Sequence, residues 1–107
     1  MQHKKSTDSA FDSILIKRSL RRSRSRMKVA QYLFDISPHS SYTSEIAQQT
    51  NLAPVSVTGS LHGDSQYRKE ASLIHLNLVE KYNTNNMRLY RMTEFGKEVM
   101  KSMKKTR

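Results

Sequence analysis

The sequence predicts one small α+β domain, mainly α-helical, with a two-stranded antiparallel hairpin near its C-terminal end. Three observations lead to this fold class. Apolar residues recur at three- and four-residue spacing over much of the chain. Two short strand-like runs flank a cluster of asparagine and threonine at 83–86. The 107 residues contain no cysteine, and a chain of this length buries enough surface to fold without a disulfide.

The first helix is predicted from Leu20 to Ile36, where apolar side chains form one stripe. Pro38 disfavours helical geometry at the residue before it, so we expect the helix to end there. Arginines crowd its first half and oppose the helix dipole. Residues 1–17 are predicted to be an N-terminal tail with an apolar patch that docks onto the domain, 18–107, or onto a second subunit.

Two short helices joined by a tight turn are predicted next, over about 43–63, and this arrangement is typical of a helix-turn-helix. Thr43 is a suitable N-cap for the first of them. Asn51 tolerates the left-handed conformation that ends a helix. Pro54 suits the first position of the second helix, because the proline nitrogen carries no hydrogen that would be left unpaired. Gly63 then ends that helix.

The C-terminal part of the chain is predicted to contain a helical piece, a hairpin and a final helix. The helical piece spans Lys69–Leu76, and Asn77 is expected to end it in the left-handed conformation. The hairpin is predicted over about 78–92. Thr93 is a suitable N-cap for the final helix, over about 93–105.

Charge is distributed in three blocks along the chain and favours a polyanionic partner. Nineteen lysines and arginines against nine aspartates and glutamates give a net charge of +10. Residues 1–28 carry +7, residues 29–66 carry −3 with no lysine or arginine, and residues 67–107 carry +6. Because this charge exceeds what solubility requires, nucleic acid or another polyanion is the expected class of partner. The alternative is that the cations only solvate helix surfaces.

The sequence contains no group of residues that predicts catalysis, a cofactor or a metal site. The four histidines are scattered, with no partner three or four residues away, and no glycine-rich phosphate loop is present. No apolar run is long enough to span a membrane, and the N-terminus lacks the apolar core of a signal peptide, so we expect a cytoplasmic protein. RNA is a less favoured partner because no aromatic pattern for stacking bases is present.

Parts of the sequence resemble the small archaeal winged helix-turn-helix transcription regulators. Residues 42–47, YTSEIA, are similar to the opening of their helix-turn-helix. Residues 76–80, LNLVE, and 89–96, LYRMTEFG, resemble their wing signature. The layout from about 19 to 101 is similar throughout. The resemblance implies a winged helix-turn-helix fold, with a three-helix core, a two-stranded β wing and a C-terminal helix. It also implies sequence-preferring binding of double-stranded DNA.

The sequence departs from this family pattern at three places. Asn77 replaces the usual glycine, which a left-handed position tolerates. The recognition helix, 54–62, contains no arginine or lysine, although these side chains make the commonest specific contact to guanine. An additional segment, 64–71, separates this helix from the helical piece that leads into the wing. Affinity is therefore expected to come mainly from phosphate contacts and DNA shape.

The resemblance implies a DNA-binding surface built from the recognition helix, the start of the helix before it, the wing and flanking cations. These residues are Val55, Ser56, Thr58, Gly59, His62, Tyr42, Thr43, Asn85, Asn86, Arg88, Arg68, Lys69, Arg22 and Arg24. Several have an ordinary structural alternative. Gly59 can equally relieve a tight helix crossing, Tyr42 can be a core residue, and turn chemistry alone explains the two asparagines.

A homodimer is predicted from apolar residues near both ends of the chain, because together they offer more apolar surface than a small monomer usually exposes. These residues are Phe11, Ile14, Leu15, Phe95, Val99 and Met103. The alternative is that both segments complete the core of one subunit. A rival function is a protein–protein adaptor without sequence-specific DNA reading, since a fold does not determine a function. An uncharged recognition helix favours this alternative.

Overall fold

The computed structural model describes the backbone of residues 4–64 and 68–105, and the side chains of residues 13–64 and 68–104. The described elements follow the chain in the order α1 (Lys4–Arg22), α2 (Arg24–Ile36), α3 (Thr43–Thr50), α4 (Pro54–His62), a 3-10 turn (Lys69–Ala71), β1 (Val79–Thr84), β2 (Met87–Met92) and α5 (Glu94–Lys105). A C-terminal helix follows an antiparallel hairpin, in a winged-helix-like layout. The predicted fold class is confirmed.

The N-terminal segment is helical, and the chain bends at Ser23. Here the backbone leaves helical geometry, and the Ser23 hydroxyl accepts a hydrogen bond from the Arg26 N–H, so the serine caps α2. The single helix expected from Leu20 is therefore two helices. Residues expected in a tail belong to α1, whose Ile16 and Leu20 are buried in the core of the domain.

The core lies around α2, which contacts every other helix and the hairpin. Leu33 of α2, Ile46 of α3 and Leu61 of α4 are fully buried together with residues of α1, the hairpin and α5. The Lys17 ammonium group of α1 donates a 2.5 Å hydrogen bond to the Ser102 hydroxyl of α5. The two ends of the chain therefore complete one core.

The helix-turn-helix forms as predicted, except that the N-cap of α3 lies one residue earlier than expected. Asn51 adopts the left-handed conformation with a φ of 59°, and Pro54 is the first residue of α4. Thr43 is the first helical residue of α3 and Tyr42 is the N-cap, so the predicted cap is wrong by one position. Before it, the Ser41 hydroxyl donates a 2.5 Å hydrogen bond to the Glu45 carboxylate. This bond fixes the entry to α3 in place of a threonine cap.

The helical piece predicted over Lys69–Leu76 is wrong beyond its first turn. The chain instead runs back along the end of α4, where the Leu73 N–H donates to the Ser60 carbonyl and the Ile74 N–H to the Leu61 carbonyl. These bonds satisfy carbonyls that the last turn of a helix leaves without a partner. The segment is thus shaped by α4 rather than by its own propensity.

The hairpin closes with a two-residue turn at Asn85 and Asn86, whose φ angles are 50° and 64°. Positive φ at both positions gives the turn that matches the twist of the two strands. Ser41 extends the sheet through a bridge to Tyr90, in which each residue donates its N–H to the other's carbonyl. The hairpin is therefore attached to the segment that leads into α3.

The start of α5 is packed against the base of the hairpin. The Thr93 hydroxyl accepts a 2.8 Å hydrogen bond from the Gly96 N–H, so the predicted N-cap is confirmed. Gly96 lies so close to Leu78 and Met92 that a Cβ atom there would overlap the Leu78 carbonyl oxygen. The absence of a side chain at this position lets α5 follow directly after β2.

Candidate nucleic-acid interface

Tyr90 joins the hairpin to both ends of the helix-turn-helix. Its ring is 2% exposed, and its hydroxyl oxygen lies 2.7 Å from Nε2 of His62, the last residue of α4. The two rings meet edge to face with centroids 5.5 Å apart. Its backbone pairs with Ser41, just before α3. One residue of β2 thus sets the position of the hairpin relative to α3 and α4.

His62, which the resemblance places in the DNA-binding surface, is directed toward the hairpin and contacts Tyr90. Burial lowers the pKa of His62, and the positive charges of Lys81 and Arg88 lower it further. The neutral imidazole is therefore favoured at neutral pH. A neutral ring accepts or donates at Nε2 depending on its tautomer, and either form suits the Tyr90 hydroxyl.

The outward face of α4 carries an isopropyl group and hydroxyl groups. Val55 is 65% exposed, Thr58 is exposed and Ser56 is half-buried. Gly59 is buried and takes no part in this face, so its predicted role in approaching DNA is wrong. The helix packs through Val57 and Leu61, as four-residue spacing predicts.

The start of α3 and the tip of the hairpin enclose a polar cleft of about 520 Å³. It is lined by Thr43 together with residues 83–86 and Arg88. Tyr42, beside it, is 40% exposed. The sequence-predicted residues Asn85, Asn86 and Arg88 are all exposed at this tip. The structure therefore brings the α3 and hairpin candidates together in one place.

The cations of the hairpin are divided between paired and unpaired side chains. The Arg91 guanidinium forms a 2.6 Å ion pair with Glu80 and lies over the Tyr82 ring. Within the side chains that the structure describes, Arg88 and Lys81 are in no ion pair. They are the hairpin cations available to an anionic ligand.

Four of the predicted DNA-contacting cations do not line the cleft between α3 and the hairpin. Arg68 lines a different cleft with Leu15 of α1 and Phe95 of α5, and Lys69 lies against the backbone of Gly63. Arg22 and Arg24 flank the bend at Ser23, where they form a group with Arg21 and Lys28. We call these four residues the elbow patch: Arg21, Arg22, Arg24 and Lys28.

The comparisons with known proteins identify the family. The model of the EarA-like family matches residues 16–103. The chain belongs to the EarA-like family. The match begins at Ile16, the first buried side chain among those that the structure describes. The uncharacterized protein MJ0905 of the archaeon Methanocaldococcus jannaschii is 35% identical over 96 residues, covering 89% of this chain and 86% of that protein. No solved structure matches the chain.

The dimerisation residues predicted in α5 are not available at the surface of this EarA-like fold. Val99 is 3% exposed and Met103 is 8% exposed, because both pack into the chain's own core, and Phe95 is half-buried. These side chains, which the sequence predicted to contact a second subunit, therefore pack within a single subunit. Ile14 and Leu15 of α1 are exposed. Phe11 lies outside the described side chains.

Tyr90 and Ser41 are positions of the candidate site that the sequence did not predict. Their pairing joins residues that are far apart in the chain, and no local pattern signals it. Alternation along β2 does mark Tyr90 as inward-facing. Among the described residues, no helix is long and apolar enough to cross a membrane, and no group of three or more potential ligands could hold a metal ion.

Proposed function

We propose that this protein binds double-stranded DNA as a winged-helix transcription regulator, with α4 in the major groove and the hairpin on the flanking backbone. One observation carries the proposal. Tyr90 holds the hairpin to both helices of the helix-turn-helix, so the hairpin is fixed beside the end of α4 and the start of α3. Winged-helix proteins that bind DNA use these two elements together.

The chemistry of this surface supports strong backbone contact and modest reading of bases. The Val55 methyl groups suit contact with a thymine methyl group, and the Thr58 hydroxyl can bond to a base edge. Arg88 at the hairpin suits a phosphate or a narrow minor groove. A dimer acting at paired half-sites, and a cytoplasmic location, belong to the same proposal.

A mobility-shift titration tests the proposal. If about five phosphates are neutralised, log K against log salt should have a slope of roughly −4 to −5 for duplex DNA. Single-stranded DNA and RNA of the same sequence serve as competitors and should be weaker. A slope near zero, or no duplex binding at about 50 mM salt, contradicts the proposal.

The second candidate is a protein-docking module, and one observation favours it. The α4 face has no cation, and Val55 at 65% and Met87 of the hairpin at 43% are exposed apolar side chains. A surface of this kind suits a protein partner with an apolar contact. Absence of duplex binding by the folded protein in the same titration would favour this function over the first.

A further inference from the structure

A cleft with both apolar and charged side chains lies between α1, the segment after α4, and α5. Its volume is about 720 Å³, which is within the range of small-molecule binding sites. Its large apolar side chains are Leu15, Ile16, Leu76 and Phe95. It shares no lining residue with the polar cleft between α3 and the hairpin, so it is a second candidate site.

The cleft contains one cation and one anion, Arg68 and Glu70. Both side chains are exposed, and within the part of the chain whose side chains are described neither is in an ion pair. The ring of His75 and the hydroxyl of Ser19 add further hydrogen-bonding groups. Because the arginine and glutamate charges balance, the cleft suits a ligand with one charge of each sign better than it suits a phosphate backbone.

The two charged residues are close together in the chain. Arg68 is the N-cap of the 3-10 turn, and Glu70 is its second residue. At a rise of about 2 Å per residue, their Cα atoms are separated by about 4 Å along the axis of the turn. A guanidinium binds a carboxylate through two parallel hydrogen bonds, and a carboxylate accepts hydrogen bonds from an ammonium group. This spacing suits a ligand whose two opposite charges are attached to the same carbon atom.

The cleft is built on a segment that is fixed to the core. The N–H groups of Leu73 and Ile74 donate to the carbonyls of Ser60 and Leu61 at the end of α4. On the α1 side of the cleft, Ile16 is buried in the core. The residues that line the cleft are therefore held by the folded domain before any ligand binds, as in most small-molecule sites.

We propose that this cleft binds an α-amino acid with an apolar side chain. Arg68 holds the carboxylate of the ligand, Glu70 holds its ammonium group, and Leu76 and Phe95 contact its side chain. This binding site does not depend on the proposed function, because none of these contacts involves DNA. Residues 68–76 connect α4 to the hairpin, so the ligand contacts the segment between the two elements that are proposed to bind DNA.

Isothermal titration calorimetry of the full chain with L-leucine tests the site. Four compounds serve as comparisons. Isoamylamine lacks the carboxylate, isocaproate lacks the ammonium group, glycine lacks the apolar side chain, and ε-aminocaproate separates the two charges. We expect each compound to bind at least about tenfold more weakly than leucine, because each loses a charge-assisted hydrogen bond or an apolar contact.

Two variants assign the charged contacts. Arg68→Gln should remove the preference for leucine over isoamylamine, and Glu70→Gln should remove the preference for leucine over isocaproate. Each should also raise the Kd for leucine about tenfold. The matched controls are Lys101→Gln and Glu98→Gln, which neutralise exposed charges of α5 that do not line the cleft. They should change the Kd for leucine by less than about twofold.

Four outcomes would overturn the inference. If wild type binds no leucine at about 10 mM, the cleft is not an amino-acid site. If leucine binds and both substitutions leave the two preferences unchanged, leucine binds elsewhere. If isocaproate or isoamylamine binds as tightly as leucine, the cleft does not select opposite charges. If leucine binds more weakly as the protein concentration rises, a second copy of the chain covers the cleft. Leucine binding is measured without DNA, so its failure is distinct from failure of the proposed function.

Discussion

At the scale of single residues, loss of the Tyr90 hydroxyl is expected to lower the stability of the fold. Tyr90→Phe keeps the buried ring and leaves His62 Nε2 without its partner. We expect the free energy of unfolding to fall by about 1 kcal/mol. Urea denaturation measures the change.

The matched control for this variant is Tyr82→Phe. The Tyr82 hydroxyl donates a hydrogen bond to the Ser40 hydroxyl, but this bond is exposed and water can replace it. Its loss should cost less than about 0.5 kcal/mol. Equal decreases in the free energy of unfolding of the two variants would contradict a stabilising role for the contact between Tyr90 and His62.

His62 gives the protein a pH-dependent stability. Because burial and the charges of Lys81 and Arg88 lower its pKa, the unfolded chain takes up this proton at a higher pH than the folded protein does. The free energy of unfolding should therefore fall as pH decreases from about 7.5 through the ordinary histidine pKa near 6.5. His62→Gln should show a smaller decrease between about pH 7.5 and 5.5 in urea denaturation.

An NMR titration of the His62 ring checks the cause independently of stability. The pKa of the ring should lie below its ordinary value in the folded protein. In Arg88→Ala it should move back toward that value, because one of the two nearby positive charges is absent. A His62 pKa at or above the ordinary value in wild type contradicts the interpretation.

Variants of Thr58 and Arg88 should distinguish recognition of bases from binding of the phosphate backbone. Thr58→Ala should narrow the difference between a selected duplex and a random one by roughly 1–3 kcal/mol, if its hydroxyl contacts a base. Arg88→Ala should weaken both duplexes about equally, because phosphate contacts carry no sequence information. Competition binding with the two duplexes measures both effects. An unchanged ratio in Thr58→Ala would mean that this side chain does not read bases.

At the scale of elements, the contact between α5 and the hairpin requires a residue without a side chain, which is Gly96. Gly96→Ala places a Cβ atom against the Leu78 carbonyl and the Met92 sulfur. The helix must then move away from the hairpin, and we expect a loss of about 1–3 kcal/mol in the free energy of unfolding. Thermal and urea denaturation measure it. Glu98→Ala, exposed on the same helix, should change stability by less than about 0.5 kcal/mol.

The element boundaries that the sequence predicted correctly are those with a local cause. The end of α2 before Pro38, the start of α4 at Pro54 and the capping of α5 by Thr93 each depend on the local chemistry of one residue. The bend at Ser23 also has a local cause, but serine caps and serines within helices look alike in a sequence. The segment after α4 differs because its shape comes from bonds to α4 carbonyls.

The residues of the candidate site also differ in whether a local sequence pattern predicts their position. The exposure of Val55 and Thr58 follows from four-residue spacing within one helix, and the exposure of Arg88 from its place near a turn. The orientation of His62 could not be predicted, because its partner is 28 positions away on another element. The grouping of Arg22 and Arg24 with Lys28 around the bend at Ser23 is likewise a property of the assembled core.

At the scale of the whole molecule, self-association is expected through α1. Val99 and Met103 are in the core, whereas Ile14 and Leu15 are 52% and 43% exposed. Ile14→Asp should raise the dissociation constant of a dimer by about tenfold or more, since burying such a side chain contributes about 1.5–3 kcal/mol. Sedimentation equilibrium measures it. The control is Val55→Asp, which introduces the same charge at an exposed apolar side chain on a different helix, α4. A monomeric wild type at micromolar concentration would contradict the prediction.

The left-handed positions of this fold have a consequence for the unfolded chain. Among the described residues, every non-glycine residue with positive φ is an asparagine: Asn51, Asn77, Asn85 and Asn86. Glycine would fit these backbone angles with less strain, but it would also give the denatured chain more conformations to lose. With only three glycines in 107 residues, the chain forms its tight turns while keeping the backbone entropy of the denatured ensemble low.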